Sequence, residues 1–423
     1  MSEKFVFLLQ RTLRKTWWRC TLFALFAVLA VILATMLGPY IATDVALKLG
    51  SDSIDSLLNI LASSMLTVTI FSASTMVSSF GTVASSATPR ASQLLIEDST
   101  IQNTLAAFIG AFIYSVIALV GLHAHVYGDG GRLVLFGFTL VVLVLVVIVL
   151  LRWIDYLSVL GRMGETIRRV EEATQKAMDQ RIEKPFLGGV RQQTGERGAF
   201  AFASPKTGFV LHVSMDLLQD QAKKLDTKLY LHVLPGNFVE PGISIMTSDR
   251  AVDAKTQAAL CDAISIGPSR TFDHDPRFGL VVMGEIAARA LSPAVNDPGT
   301  SLDVIATAVK LFVHWTTAAA DRGEDASEPQ FDRVAVPAID AAGMVGDVFA
   351  PIARYGAGAV EIGIALQRAL GSLDRLEGDL AGAAEAMSRY AMQRAVHAGL
   401  PEVDLDEIRR SSVWTRASAS GAA

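Results

Sequence analysis

The sequence predicts an α-helical membrane domain with four transmembrane helices, followed by a cytoplasmic α+β region with a small β-rich domain and a C-terminal helical bundle. Hydrophobic residues make up 51% of the 423 residues and charged residues only 19%, so a soluble fold would lack the polar surface it needs. The apolar residues are concentrated in the first 153 positions. The net charge of -5 disfavours a nucleic-acid-binding protein, which needs an excess of Lys and Arg.

Four long runs with few or no charges, all within residues 1–157, predict the spans. They cover approximately residues 20–41, 56–81, 104–126 and 133–153, and each is close to the roughly 20 residues that cross a bilayer as a helix. Lys and Arg residues are concentrated before the first run and after the fourth, and Arg90 lies between the second and third runs. Because positive residues stay on the cytoplasmic side, both termini are expected to be cytoplasmic.

The second span differs from the others because half of its positions carry hydroxyl groups. Between Ser63 and Thr88 there are 13 Ser and Thr residues in 26 positions. One interpretation is packing, since small residues let helices approach closely and hydroxyls bond to neighbouring helices or to their own backbone. The other is the lining of a water-filled path, in which hydroxyl oxygens replace part of an ion's hydration shell. The candidate lining residues are Ser64, Thr67, Ser74, Thr75, Ser78 and Thr82.

The segment between the second and third spans is predicted to form the cytoplasmic mouth of such a path. Pro89 cannot continue the helical hydrogen-bond ladder, so the second span is expected to stop or kink there. Asp98 precedes the third span with the spacing of a capping box. Arg90, Glu97 and Asp98 are the candidate mouth residues, with an ordinary solvated loop as the alternative.

The charge-rich sequence after the fourth span predicts the organisation of the cytoplasmic region. Residues 158–184 have the pattern of an amphipathic connecting helix, and residues 190–265 alternate in the manner of short strands. Residues 270–400 are expected to form a helical domain. Residues 401–423 are expected to be a tail, disordered at its end.

Two polar clusters at predicted helix ends in this region are candidates for a site. Asp and Asn side chains ligate Mg²⁺ or Ca²⁺, and Arg contacts anions. The same residue types also cap and terminate helices, and Asp275 followed by Pro276 has the pattern of a helix start. The candidates are Asp273, Asp275, Arg289, Ser292, Asn296 and Asp297.

A family resemblance becomes specific in the same part of the chain. The stretches that carry it are DHDPRFGL, IAARALSPAVNDPGTSLDVI, TPRASQLLIEDSTIQNTLAAFIGAFIYSVIAL, SPKTGFVLHVSMDLLQDQA and PGNFVEPG. Together they resemble the bacterial predicted membrane protein family called domain of unknown function 2254. The resemblance extends to about residue 400. It implies a multi-pass protein of the bacterial inner membrane with a cytoplasmic C-terminal half, and it implies no activity.

The sequence carries no P-loop, metalloprotease, nucleophile-elbow or paired-cysteine zinc pattern. No constellation of residues therefore supports an enzyme, a cofactor or a metal, and an enzyme that acts on lipid or envelope substrates is the hypothesis with the least support. The favoured hypothesis is an oligomeric ion channel or channel-like transport protein, because four spans enclose no wide path and a homo-oligomer is implied. The alternative is a membrane-anchored sensor or scaffold that binds an unknown cytoplasmic partner or small ligand. The expected partners are the lipid bilayer and further copies of the chain, and no nucleic acid.

Overall fold

The computed structural model describes residues 16–37, 40, 51–321, 329–376 and 378–414. These residues divide into two compact units. The described part of the membrane unit lies within residues 7–85 and 92–162, and that of the C-terminal unit lies within residues 86–91 and 163–423. The short segment 86–91 therefore belongs to the C-terminal unit, although it follows a membrane helix directly.

The N-terminal part of the chain is helical. Its helices are α1 (Thr16–Leu37), α2 (Ser51–Ser86), α3 (Pro89–Ile96), α4 (Ser99–His123) and α5 (Asp129–Val159). Within the described residues, three stretches are long and apolar enough to cross a bilayer, namely Ser53–Ser86, Ser99–His123 and Gly130–Val159. They correspond to the second, third and fourth predicted spans. The first predicted span overlaps α1, whose apolar stretch Ala24–Leu37 is shorter, so a fourth span stays a prediction.

Helix α4 lies at the centre of the membrane unit. Within its most apolar window 56% of the residues are buried, against 17% for the windows in α2 and in α5. Small residues of α1, Ala30 and Ala34, are buried against Tyr114 and Ala118 of α4, and such residues let membrane helices approach closely. Most of the surface of α2 and α5 therefore faces away from the unit.

The C-terminal unit combines helices with two small sheets. Its helices are α6 (Met163–Glu183), α7 (Met215–Lys224), α8 (Ala254–Asp262), α9 (Pro276–Ala290), α10 (Pro298–Asp321), α11 (Ala341–Tyr355), α12 (Val360–Asp374), α13 (Asp379–His397) and α14 (Glu402–Ser411). Helix α9 is the hub of this part, because it packs against α6, α10 and α11. Ten of its fifteen residues are buried, which fits its apolar sequence.

The strands form a mixed sheet and an antiparallel sheet. They are β1 (Gly189–Arg191), β2 (Phe200–Ala203), β3 (Gly208–Val213), β4 (Leu229–Leu231), β5 (Phe238–Val239), β6 (Ser244–Ser248), β7 (Ile264–Gly267) and β8 (Phe331–Val336). The five-stranded sheet has the order β1-β8-β4-β6-β2, and the three-stranded sheet has the order β5-β3-β7. Strands β1, β8 and β4 are parallel, and the remaining pairs are antiparallel. Buried Val, Leu and Ile residues of both sheets share one hydrophobic core.

The connecting helix expected at residues 158–184 is not continuous. Helix α5 ends at Val159 and α6 begins at Met163. Gly161 lies between them with a φ of 84°, a left-handed conformation that glycine adopts without steric penalty. Helix α6 then packs against α9 and α10, so it is part of the C-terminal unit and not a free connection.

Two further expectations about the C-terminal half differ from the structure. The region 270–400 is not purely helical, because β8 lies between β1 and β4 in the five-stranded sheet. The expected tail at 401–423 begins with α14, whose Leu405 and Ile408 are buried. Both elements are short and depend on partners far away in the chain, so local sequence carries little signal for them. The end of the expected tail, residues 415–423, lies outside the described residues.

Candidate functional site

The hydroxyl groups of α2 lie mainly on its exposed side. Another face of the helix, with Leu58, Leu61 and Met65, is buried in the membrane unit. Thr75 is half-buried, and the other five candidate lining residues are exposed: Ser64, Thr67, Ser74, Ser78 and Thr82. We call these six residues the hydroxyl strip. Their helical spacing places them roughly along one side of α2, where a neighbouring molecule or water can reach most of them.

The hydroxyl strip is distinct from an apolar strip on the same exposed side. Leu66, Ile70 and Val77 form the apolar strip, and Val77 is 65% exposed. At 100° per residue the two strips lie next to each other around the helix. Phe71 is 63% exposed and lies within the hydroxyl strip. Lipid chains suit the apolar strip, whereas a polar surface suits the hydroxyl strip.

Several hydroxyls of α2 donate to the carbonyl oxygen one turn earlier. Thr67 Oγ1 donates to the Ser63 carbonyl at 2.9 Å, Thr75 Oγ1 to the Phe71 carbonyl at 3.0 Å, and Thr82 Oγ1 to the Ser78 carbonyl at 3.1 Å. The hydroxyl proton is thereby used inside the helix. The oxygen keeps lone pairs that can accept a hydrogen bond or contact a cation. The strip therefore presents oxygen atoms and no net charge.

The predicted stop at Pro89 is confirmed, because α2 ends at Ser86 and Pro89 is the first residue of α3. Just after α2, Thr88 Oγ1 donates to Glu285 Oε2 at 2.9 Å and Arg90 Nη1 donates to Glu285 Oε1 at 2.6 Å. Ala87 and Ala91 are almost completely buried. We call Thr88, Arg90 and Glu285 the α9 clamp. It fixes the segment after α2 to helix α9 within the C-terminal unit.

The two acidic mouth candidates belong to the membrane unit. The predicted cap at Asp98 is confirmed, because its Oδ1 accepts from the backbone N–H groups of Thr100 and Ile101 at the start of α4. Its Oδ2 also accepts from the Tyr156 hydroxyl at 3.0 Å. Glu97 accepts from the Gln93 amide at 3.2 Å. A role of Arg90, Glu97 and Asp98 at a mouth stays a prediction.

The first polar cluster near residue 273 contains a helix cap. Asp275 is the N-cap of α9, with Pro276 at the first helical position, as the sequence predicts. Arg270 Nε donates to Asp275 Oδ2 at 2.8 Å. Burial raises the pKa of Asp275, and the bond from Arg270 opposes that rise. Asp273 is half-buried nearby in the chain.

The second cluster forms the turn between α9 and α10. Asp297 accepts from the Thr300 backbone N–H at 3.1 Å and from its hydroxyl at 2.6 Å, and these bonds lower the pKa of Asp297. Ser292 donates to the Arg289 carbonyl at 2.7 Å. Asn296 has a φ of 49°, which Asn tolerates in turns. These contacts favour capping over ligand binding. In the described part of the chain, no cluster of three or more His, Cys, Asp or Glu residues is arranged to hold a metal ion.

Sequence reasoning missed Glu285, the acceptor in the α9 clamp. Its partner Arg90 is 195 positions away in the chain, so no local spacing could connect the two. A weak signal was present, since Glu285 is the single acidic residue in the apolar helix PRFGLVVMGEIAARA. A carboxylate in such a helix needs a partner or solvent.

Comparison with known proteins decides the family. The sequence model of the family described as "Predicted membrane protein (DUF2254)" matches residues 14–372. The chain belongs to this family. The match confirms the resemblance seen in the sequence and agrees with a membrane protein that has several apolar helices.

The individual relatives match only a short part of this chain, and their names state no function. Uncharacterized protein Mb1321c of Mycobacterium bovis and Uncharacterized protein Rv1290c of Mycobacterium tuberculosis are each 31% identical over 113 residues. That stretch covers 25% of this chain and 22% of each relative, so the chain matches less than a quarter of their length. No solved structure matches.

Proposed function

We propose that this protein is an oligomeric ion channel or channel-like transport protein, in which the hydroxyl strips of several copies of α2 surround a shared path. The observation that carries the proposal is the exposure of the strip in the single chain. Hydroxyls that served only to pack this unit would be buried within it. Exposed hydroxyl oxygens at bilayer depth can still accept a hydrogen bond or contact an ion, and a water-filled axis between copies would use this capacity whereas lipid chains would not.

The chemistry of the strip favours small ions or polar solutes. The lining consists of neutral oxygen atoms, and Phe71 is the large apolar side chain among them. Oxygen atoms replace part of the water around an ion without binding it tightly, and conduction requires such weak, repeated contacts. A single exposed helix face encloses no path, so symmetric copies are needed.

The proposed topology uses four spans in the bacterial inner membrane. Helix α1 would be the first span, because it packs against α4 and α5 within the membrane unit. Both termini and residues 163–423 would be cytoplasmic, in agreement with the distribution of Lys and Arg. The acidic and basic groups at residues 90–98 would then lie at the cytoplasmic end of the path.

The C-terminal unit would gate or assemble the channel. The α9 clamp supports this role, since two hydrogen bonds to Glu285 hold the segment that immediately follows α2. A shift of α9 would therefore act on the end of the helix that carries the hydroxyl strip. This segment continues α2 in the chain, so it is the place where a change in the C-terminal unit would reach that helix.

The direct test is ion flux through the full chain reconstituted in lipid vesicles. Ser78→Leu places a leucine in the hydroxyl strip, and Val77→Leu places the same side chain in the adjacent apolar strip. We expect Ser78→Leu to reduce flux at least tenfold and Val77→Leu to leave it nearly unchanged. Absence of flux for K⁺, Na⁺ and Cl⁻ at several potentials, with assembled oligomer present, would contradict the proposal.

One observation favours a second candidate, a membrane-anchored sensor or scaffold. Ser74 and Ser78, and likewise Gly81 and Ser85, are four residues apart, which is the small-residue spacing of closely packed membrane helices. In that case two copies of α2 would pack face to face with no path between them. Ser78→Leu would then dissociate the oligomer, and the wild-type protein would conduct nothing. Measurement of oligomer size beside flux separates the two candidates.

A further inference from the structure

A cavity of about 500 Å³ lies within the C-terminal unit. Its walls come from the end of α6, the turn Pro185–Gly188, α10, the chain after β8 and the start of α13. Volumes of 300–1,000 Å³ are typical of small-molecule sites. The residues that line it include none of the candidate residues of the two polar clusters.

Arg181 lines this cavity and is only 7% exposed. Within the part of the chain that the structure describes, its guanidinium has no hydrogen bond or ion pair. Burial lowers the pKa of Arg181 to about 10, and the charge of Asp275 opposes that fall. Asp275 itself is occupied by Arg270 and by the start of α9. A buried cation without a bonded anion among the described residues is costly, and such a group favours binding of an anion in the cavity.

A second guanidinium faces the same space. Arg191 lines the cavity from β1, and its guanidinium lies over the Phe186 ring with 6.0 Å to the ring centre. Arg191 is exposed and forms no ion pair within the described residues. The acidic residue of the lining, Asp379, lies exposed at the start of α13. Among the described lining residues, the charged side chains are therefore two arginines and one carboxylate.

The rest of the cavity wall is mainly apolar. Phe186 and Trp315 supply aromatic rings, and Ile182, Leu376 and Leu380 supply aliphatic surface. Phe186 is held in place by an unusual turn, because Phe186, Leu187 and Gly188 have φ values of 50°, 57° and 81°. Consecutive left-handed residues other than glycine persist only where the surroundings impose them. The cavity thus joins a buried positive charge to an apolar wall.

We infer that this cavity binds a small organic anion, whose carboxylate or phosphate pairs with Arg181 while its apolar or aromatic body lies against Trp315 and Phe186. Arg191 closes the anion site from the exposed side. Planar guanidinium groups bind both carboxylates and phosphates through paired hydrogen bonds. The inference does not depend on the proposed channel function, since it concerns the C-terminal unit alone.

The test is thermal unfolding and titration calorimetry of the full chain in detergent. The probes are phenyl phosphate, longer aryl and alkyl phosphates, benzoate, longer carboxylates of the same kinds, and inorganic phosphate. We expect at least one organic series to raise the melting temperature and inorganic phosphate to bind at least tenfold more weakly, because it cannot use the apolar wall. The phosphate and carboxylate arms show which head group the site prefers. Failure of every organic anion to bind the folded protein would overturn the inference.

Variants separate ligand binding from a structural role. Arg181→Met should abolish binding and also raise the melting temperature of the ligand-free protein, because it removes a buried unpaired charge. Arg191→Gln should weaken binding several-fold. Arg168→Gln is the matched control, since Arg168 is exposed on the same helix and pairs with Glu165, and it should leave binding unchanged.

The opposite pattern would contradict the inference. If Arg181→Met lowers the melting temperature and leaves binding intact, Arg181 is structural. If Arg181→Met does not fold, Arg191→Gln and Trp315→Leu still decide the matter, because both alter the cavity at positions that are not fully buried. Unchanged binding in both would overturn the assignment.

Discussion

Helix α2 of the membrane unit and the ion pairs of the C-terminal unit satisfy polar groups in different ways. In α2 the hydroxyls of Thr67, Thr75 and Thr82 donate to carbonyls four residues away. In the C-terminal unit, Arg277 pairs with Asp347 across 70 positions, and Arg90 pairs with Glu285 across 195. These hydroxyls of α2 thus make local bonds that a lone helix can make, whereas these ion pairs of the C-terminal unit are tertiary contacts. Substitutions should therefore affect folding strongly in the second unit and weakly in α2.

The largest effect is expected at a close approach between two helices of the C-terminal unit, α9 and α11. A Cβ on Gly284 of α9 would lie 2.6 Å from the Asp347 carbonyl oxygen and 3.2 Å from that of Val348, both in α11. Gly284→Ala should therefore destabilise the unit by about 2 kcal/mol, because the helices must separate. Denaturant unfolding of the full chain in detergent, with hydrogen exchange in α9 and α11, measures the change.

Gly346 of α11 provides the matched control. A Cβ there meets no atom within 4 Å, so Gly346→Ala should be neutral or stabilise by about 0.5–1 kcal/mol through helix propensity. Equal destabilisation by both variants would show that the close approach of α9 and α11 does not determine the stability of the C-terminal unit.

A smaller effect should appear as a pH dependence in the sheet region. Burial lowers the pKa of His232 from its ordinary value of 6.5, with a further contribution from Arg197, and its Nε2 lies 3.1 Å from Thr247 Oγ1. The unfolded state binds a proton at His232 more readily than the folded state does. The contribution of neutral His232 to the free energy of unfolding is therefore fully present above pH 6.5, and it is lost as the pH falls below that value. Unfolding of wild type and His232→Gln between pH 5 and 8 should show a shallower slope in the variant. Identical slopes would show that His232 does not cause the pH dependence of stability.

The smallest effect on folding is expected in the hydroxyl strip. Thr75→Val keeps the shape of the side chain and removes only a bond to its own helix, so the free energy of unfolding should change by about 0.5 kcal/mol or less. Flux should nevertheless fall, because a lining oxygen is lost. A large loss of stability together with unchanged flux would make Thr75 a packing residue.

Local signals in the sequence predicted much of the fold. The caps at Asp98 and Asp275 were predictable because each side chain bonds to backbone groups two or three positions further on. The three long spans were predictable because apolar length alone determines them. The hydroxyl content of α2 was visible in the same way, although its exposure was not.

Features that depend on distant partners were not predictable. Strand β8 pairs with β1 and β4, which come more than 90 residues earlier in the chain. Glu285 accepts hydrogen bonds from Thr88 and Arg90, which lie 197 and 195 positions earlier in the chain. Arg181 looks like an ordinary charge on an amphipathic helix until the turn at Phe186, helix α10 and helix α13 enclose it. In each case the decisive neighbour is fixed by tertiary packing and not by spacing in the sequence.

The central claim, that the hydroxyl strip faces a wet path between copies, is tested most directly by accessibility to a small hydrophilic thiol reagent. Ser78→Cys and Val77→Cys would be introduced separately into a reconstituted chain whose Cys20 and Cys261 are replaced by serine. We expect the reagent to modify the thiol at position 78 and to reduce flux, while the thiol at position 77 stays unmodified. A thiol at position 78 that does not react in a conducting oligomer, or that reacts no faster than the one at position 77, would contradict it.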